Sequence, residues 1–178
     1  VVGCLSERYA DELRQEIPEV DGILGTTSCD EIVNVLNGIL GREKPAPVSC
    51  FHDLAEPPTG GENRVVTTGG YYAHLKIAEG CDKRCTYCII PYARGPIRSL
   101  PLEKAKEQAA QLAAEGYQEL VLTGIEISSW GQERKDGTAL IDLVEGVCQA
   151  VPGCRVRLGS LEPRTVTEDF CRRAAALP

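Results

Sequence analysis

Cys81-Asp82-Lys83-Arg84-Cys85-Thr86-Tyr87-Cys88 places three thiols in one short stretch, with three and then two residues between them. Thiolates so spaced reach one centre only when the loop curls around it, and soft sulfur ligands select zinc or an iron–sulfur cluster. A closed structural zinc site takes four ligands, usually as two separated pairs. No second Cys pair lies near, and His74 is the only local substitute. A bacterial ferredoxin run would carry a fourth Cys just before a Pro, but here Ile89-Ile90 stand before Pro91. Three ligands on a four-iron cluster leave one iron open, and an open metal site implies chemistry. The competing reading is a zinc-binding interaction module built on Cys81, Cys85, Cys88 and His74.

The surrounding composition narrows the classes. The chain has 178 residues, nine Cys, no Met, and 19 basic against 26 acidic side chains for a net charge of −7. A hydrophobic content of 43% with 25% charged residues is that of a globular chain. No run approaches the roughly 18 apolar residues that a membrane span needs, and no secretion signal is expected. Nine Cys fall short of a disulfide scaffold's density and are odd in number, so a reducing, cytoplasmic setting is expected. The missing Met leads us to expect that residue 1 is not a true start.

Upstream of the loop, residues 1–41 read as βαβα. Val1-Val2 reads as the end of a buried strand, and Ser6 as the N-cap of a helix from Glu7 to Ile17, stopped by Pro18. Val20 to Gly25 reads as a second strand, and Ile32, Val33, Leu36 and Leu40 give the next helix an apolar face. Two strands are too few for a domain, so the remainder is expected before Val1. Residues 42–66, with Pro45, Pro47, Pro57, Pro58 and Gly60-Gly61, read as an interdomain linker, with Val65-Val66 as one short edge strand.

Residues 67–178 read as a βα repeat. Tyr72 to Ala78 is a strand running into the Cys loop, which extends to Arg98. Ser99 reads as the cap of a helix from Pro101 to Glu115, stopped by Gly116. Glu119 to Thr123 is a second strand, and Leu140, Leu143, Val144 and Val147 mark a helix. Val156 to Ser160 is a third strand, with a last helix opened by Thr165 or Thr167. The fold class predicted is α/β: a partial N-terminal α/β domain, then a (β/α) partial barrel. Three βα units do not close a barrel, so truncation at the C-terminus is expected as well.

The Cys81–Cys88 loop resembles the signature of the radical S-adenosylmethionine superfamily. Leu75-Lys76-Ile77-Ala78-Glu79-Gly80-Cys81 and Cys88-Ile89-Ile90-Pro91-Tyr92-Ala93-Arg94-Gly95 resemble its methylthiotransferases in particular. The resemblance implies that Cys81, Cys85 and Cys88 hold a [4Fe-4S] cluster whose fourth iron is chelated by the methionine part of S-adenosylmethionine. Reductive cleavage then yields a 5′-deoxyadenosyl radical, with an electron donor such as flavodoxin or ferredoxin as partner. It further implies that Tyr87 packs beside the adenine, the ordinary alternative being a core aromatic. Thr123-Gly124-Ile125-Glu126 is similar to a Gly-Gly-Glu segment, which makes Gly124 and Glu126 candidate cofactor contacts; the alternative for Glu126 is a solvated carboxylate. Ser160 and Glu162, after the third strand, are candidate ribose contacts.

The family also carries a second [4Fe-4S] cluster, held by three Cys of an N-terminal domain, that delivers sulfur. Val1-Val2-Gly3-Cys4 resembles its last ligand motif, which makes Cys4 a candidate metal ligand and predicts no methylthiolation by this chain alone. Cys29, Cys50, Cys148, Cys154 and Cys171 match no family ligand and are read as structural, Cys148 and Cys154 as buried. Two substrate branches compete. Gly3-Cys4-Leu5-Ser6-Glu7-Arg8-Tyr9 and Ile17-Pro18-Glu19-Val20-Asp21 resemble the branch that modifies an aspartate of ribosomal protein S12. Tyr92-Ala93-Arg94-Gly95-Pro96 and Leu158-Gly159-Ser160-Leu161-Glu162-Pro163-Arg164 resemble the branch acting on threonylcarbamoyladenosine in tRNA. Either the sequence is a divergent member or two related genes are joined. Lys76, Lys83, Arg84, Arg94 and Arg98 outnumber the acids around the loop, a basic rim that suits a phosphate backbone, so tRNA is the expected partner. Solvated loop bases are the alternative.

Overall fold

A computed structural model describes residues 1–41, 48–56, 67 and 69–178. It divides into two compact units, the first made of Val1–Glu56 with Cys81–Pro96 and the second of Pro57–Gly80 with Ile97–Pro178. Val65-Val66, read as an edge strand, lies outside the described residues.

The first unit contains α1 (Cys4–Arg8), α2 (Ala10–Glu16), β1 (Gly22–Leu24), α3 (Ile32–Leu40), β2 (Val48–Cys50) and α4 (Ile90–Arg94). β1 is buried at all three positions and pairs in parallel with β2, Gly22 opposite Val48 and Leu24 opposite Cys50. β2 thus falls within the stretch read as a linker. Val2 bridges Leu24 in parallel, yet Val1 and Val2 are both exposed rather than buried. The predicted helix from Glu7 to Ile17 is two helices that meet at Tyr9, whose φ of −128° and ψ of 37° interrupt the helical backbone. Ser6 is no cap: it is buried within α1, and its hydroxyl donates to the carbonyls of Gly3 and Leu24. On α3 the expected apolar face is also displaced. Val35 is buried, while Ile32, Val33, Leu36 and Leu40 are exposed.

The second unit contains β3 (Tyr72–Glu79), β4 (Arg98–Ser99), α5 (Leu102–Ala114), β5 (Glu119–Gly124), α6 (Leu140–Ala150), β6 (Arg155–Leu158) and α7 (Glu168–Ala175). Its sheet runs β4-β3-β5-β6, with β3, β5 and β6 parallel and β4 a two-residue antiparallel edge. Parallel strands joined through α5 and α6 are the succession of a partial barrel. Strand alternation places Ala73, Leu75 and Ile77 of β3 on the buried face, where the core also takes in Leu120 and Leu122 of β5. Ala105, Ala109 and Leu112 of α5, Leu143 and Val147 of α6, and Trp130 complete it. Each buried Leu or Ile of this size stabilises by about 1.5–3 kcal/mol. Trp130 is fully buried, and its indole N–H donates to the Leu100 carbonyl at 3.0 Å.

Thr167 caps α7, its hydroxyl accepting from the Phe170 amide, and Gly116 stops α5 with φ +99°. Ser99 does not cap α5; it lies in β4, where its hydroxyl donates to Glu133 and accepts from the Gly131 amide at 2.8 Å. Pro101 precedes the helix in its place.

Candidate active site

In the first unit, residues 81–89 form an irregular loop leading into α4. The Cys81 amide donates to the Gly95 carbonyl at 3.1 Å and the Cys88 amide to the Cys85 carbonyl at 2.9 Å, which closes the loop's base and its second turn. Arg84 holds a left-handed φ of +41°, the bend that separates the first thiol from the other two. Gly95, at φ +73°, is indispensable in a second way: a Cβ there would lie 2.7 Å from the Leu54 carbonyl oxygen. Cys81 and Cys88 are half-buried and Cys85 is exposed. Tyr87 is 90% exposed, so the core-aromatic alternative is excluded and its ring is free to cover a planar ligand.

Among the described residues, no three His, Cys, Asp or Glu converge closely enough to hold a single metal ion. His74, invoked for zinc, instead sits on β3 with its ring edge-on to Tyr72 at 5.6 Å. The donor set of the loop, one exposed and two half-buried thiols, suits a cluster that spreads its thiolates around a cube.

In the second unit, the candidate contacts follow the C-terminal ends of β5 and β6, where barrel enzymes bind their ligands. Glu126 is neither solvated nor in the sheet. It caps the short 3-10 turn Ile127–Ser129, its Oε1 accepting from the Ser128 amide at 2.9 Å. Its Oε2 is buried with no hydrogen-bond partner among the described residues. A buried carboxylate oxygen without a donor is costly, and an ammonium group is the ligand that would satisfy it. Ser128, which sequence reading did not single out, ties Glu126 to Glu162: its hydroxyl accepts from the Glu162 amide at 2.8 Å. Ser160 is exposed with a left-handed φ of +26°, so its turn redirects the chain after β6. Gly124 serves the sheet itself. A Cβ there would approach the Ala78 carbonyl oxygen to 2.7 Å, which only Gly avoids. The residues present therefore fit S-adenosylmethionine in the unsatisfied Glu126 oxygen and a cluster in the thiol loop.

The expected basic rim is largely spoken for. Arg98 is buried, Lys76 pairs with Glu79, and the Arg94 Nε–H donates to Cys4 Sγ at 2.9 Å. Of the other cysteines, Cys148 and Cys154 are half-buried against the core, and burial pushes the Cys148 thiol up from its ordinary pKa. Cys50 Sγ lies 3.6 Å from His52 Nε2, whereas Cys29 and Cys171 are exposed.

With this arrangement in view, the chain belongs to the radical SAM superfamily, whose family model matches residues 75–176. Within that class its relatives are methylthiotransferases. It is 43% identical over 171 residues to the ribosomal protein uS12 methylthiotransferase RimO of Lachnoclostridium phytofermentans, covering 96% of this chain and 38% of that protein. The enzyme of the same name from Acetivibrio thermocellus is 35% identical over 180 residues, covering 98% of this chain and 40% of its own length. The chain thus spans about two-fifths of these relatives. A radical S-adenosylmethionine methyltransferase, TsrM of Kitasatospora setae, shares 20% identity over 57% of this chain and 25% of its own, with a TM-score of 0.33. Because one relative aligns through both halves, the chimera reading is unnecessary. The family match likewise sets aside the zinc-module alternative.

Proposed function

We propose that this chain is the cofactor-binding part of a methylthiotransferase that replaces a C–H bond of ribosomal protein S12 with C–SCH3. What supports S12 over tRNA is the continuous alignment to S12 enzymes through both halves, at 43% and 35% identity. Arg94, Arg98 and Lys76, three of the five bases expected to meet a phosphate backbone, are engaged within the protein, which weighs against tRNA. No helix among the described residues is long and apolar enough to cross a membrane.

Cys81, Cys85 and Cys88 are the proposed ligands of the radical cluster, and Cys4 one ligand of the second. When bound, the cluster and S-adenosylmethionine supply the radical that abstracts hydrogen from the target carbon. The protein's share is orientation. Glu126 accepts the methionine ammonium through Oε2, with Ser128 holding the carboxylate and the Glu162 backbone in register. Within the second unit Ser160 and Glu162 are the proposed ribose contacts, and within the first Tyr87 is proposed to pack beside an adenine. The redox partner is a low-potential electron donor of the flavodoxin or ferredoxin kind, and the setting a reducing cytoplasm. The test is anaerobic reconstitution of the complete protein carrying this chain, with S-adenosylmethionine, reductant, and purified S12 and tRNA together. Methylthio mass on S12 alone is expected; methylthio product on tRNA alone would overturn the substrate reading.

A further inference from the structure

Within the second unit, the sheet face turned away from the helix-covered core carries charged side chains that have no part in the chemistry proposed above. Alternate residues of a strand face opposite ways, so Tyr72 and His74 of β3 stand on the side opposite the buried Ala73 and Leu75. Strand register aligns them in two rows, Tyr72 beside Glu119 beside Arg155, and His74 beside Val121 beside Arg157. Over these rows lies a cavity of about 500 Å³, the size of a small-ligand site, lined by Tyr72 and His74 from β3 and by Arg157 and Ser160 at the β6 side. The Tyr72 and His74 rings meet edge-on at 5.6 Å. Glu119 lies 3.8 Å from Arg155 and 3.6 Å from Arg157, and its side chain is only 16% exposed. Those separations exceed hydrogen-bonding distance, so both guanidinium forks keep N–H donors for another acceptor. Two guanidiniums against one carboxylate also leave one positive charge over. A guanidinium fork takes a planar carboxylate through two parallel N–H···O bonds. One surplus charge matches a single carboxylate and not a polyanionic backbone. Ser160, the proposed ribose contact, lines the same cavity, so a group held by Arg157 lies beside the proposed cofactor position.

We propose that Arg157 is a specificity-determining residue that receives a side-chain carboxylate of the protein substrate, and that Glu119 sets the strength of that grip. This rests on the methylthiotransferase reading and gives its acceptor region an acidic side chain. Glu119 is a resident competitor for the guanidinium, so it keeps the cavity selective for a carboxylate that arrives with two good hydrogen bonds. An amide of the same shape brings no charge and is held poorly.

The experiment uses the complete protein, reconstituted anaerobically, with Arg157→Gln, Arg157→Lys and Glu119→Gln. With purified S12, Arg157→Gln is expected to raise KM about tenfold while kcat changes less than about twofold. Arg157→Lys, which keeps the charge but not the fork, should fall between. Glu119→Gln removes the competing carboxylate and should lower KM about threefold. Calorimetric titration with succinate reads the same cavity without turnover, its affinity falling in Arg157→Gln and rising in Glu119→Gln. Unchanged KM and unchanged succinate affinity in Arg157→Gln would overturn the proposal. So would weaker binding in Arg157→Gln and Glu119→Gln alike, the signature of a purely structural ion pair. Tighter binding of inorganic phosphate than of succinate would overturn it too, by assigning the cavity to a nucleic-acid backbone. Should the parent itself form no methylthiolated S12, the functional reading fails, while the succinate titration still tests the Arg157 cavity.

Discussion

The two units of this chain carry their chemistry in opposite ways. The second buries Trp130, Leu75, Ile77, Leu120, Leu122, Leu143 and Val147 completely or nearly so, and its candidate residues sit in turns directly after rigid strands. The first presents its thiols on an irregular loop with Tyr87 fully offered to solvent, and leaves Val33, Leu36 and Leu40 exposed. Precise placement of a small cofactor calls for the rigid kind of support, whereas a loop that must wrap a cube needs only ligand spacing and a few backbone bonds. The difference predicts that stability and cofactor loading are separable by mutation.

The largest expected effect lies in the packed unit. Trp130→Ala removes a fully buried indole and its bond to Leu100, and should cost about 3–5 kcal/mol, read as a lower denaturant midpoint. Gly124→Ala forces a Cβ against the Ala78 carbonyl and should cost about 1–3 kcal/mol by the same measurement. An unaffected midpoint in either variant would erase the contrast between the units.

A smaller, pH-dependent effect sharpens it. Arg173 of α7 bonds Asp142 and Glu145 of α6 at 2.6 Å. The Arg173 hydrogen bond holds the Glu145 carboxyl below its usual range. At Asp142 burial pushes upward, but the bonds from Arg173 and the Ala139 amide outweigh it, and the net shift is again downward. Carboxyl pKa values lowered by folding stabilise above the unfolded values and lose that stabilisation as pH falls through the folded ones. Arg173→Gln should therefore lower the melting temperature modestly at pH 7, with the gap to the parent closing below about pH 4. The smallest effect is at Tyr87, where Tyr87→Ala should change stability by no more than about 0.5 kcal/mol in the apo protein. A large loss there would show that the loop is packed, contrary to its exposure.

Sequence periodicity was a good guide wherever one face of an element is buried. β3, β5 and α5 fall within a residue of their expected spans and the four apolar markers all lie on α6, because alternating or helical spacing is what a sheet covered by helices demands. It failed where tertiary contacts overrule local signals. Ser6 and Ser99 have the chemistry of caps but spend their hydroxyls on Leu24 and Glu133. β2 and β4 are too short to show a period, and the break at Tyr9 has no Gly or Pro to announce it. At the site, the three-thiol loop was legible from spacing and resemblance alone. Ser128 and the Arg94–Cys4 bond were not, since a serine after a strand and an arginine in a basic stretch have no distinctive pattern. Charge counting alone makes Arg94 a phosphate contact, because it does not see that the guanidinium is turned onto the Cys4 sulfur.

The most direct test of the account replaces Cys81, Cys85 and Cys88 together by Ala in the complete protein and follows the chromophore and the thermal melt after anaerobic reconstitution. The variant should lose the radical cluster's absorbance and reductive S-adenosylmethionine cleavage, with a melt of the apo protein indistinguishable from the parent. Full cleavage activity in that variant, or stoichiometric zinc and no iron in the parent, would contradict it.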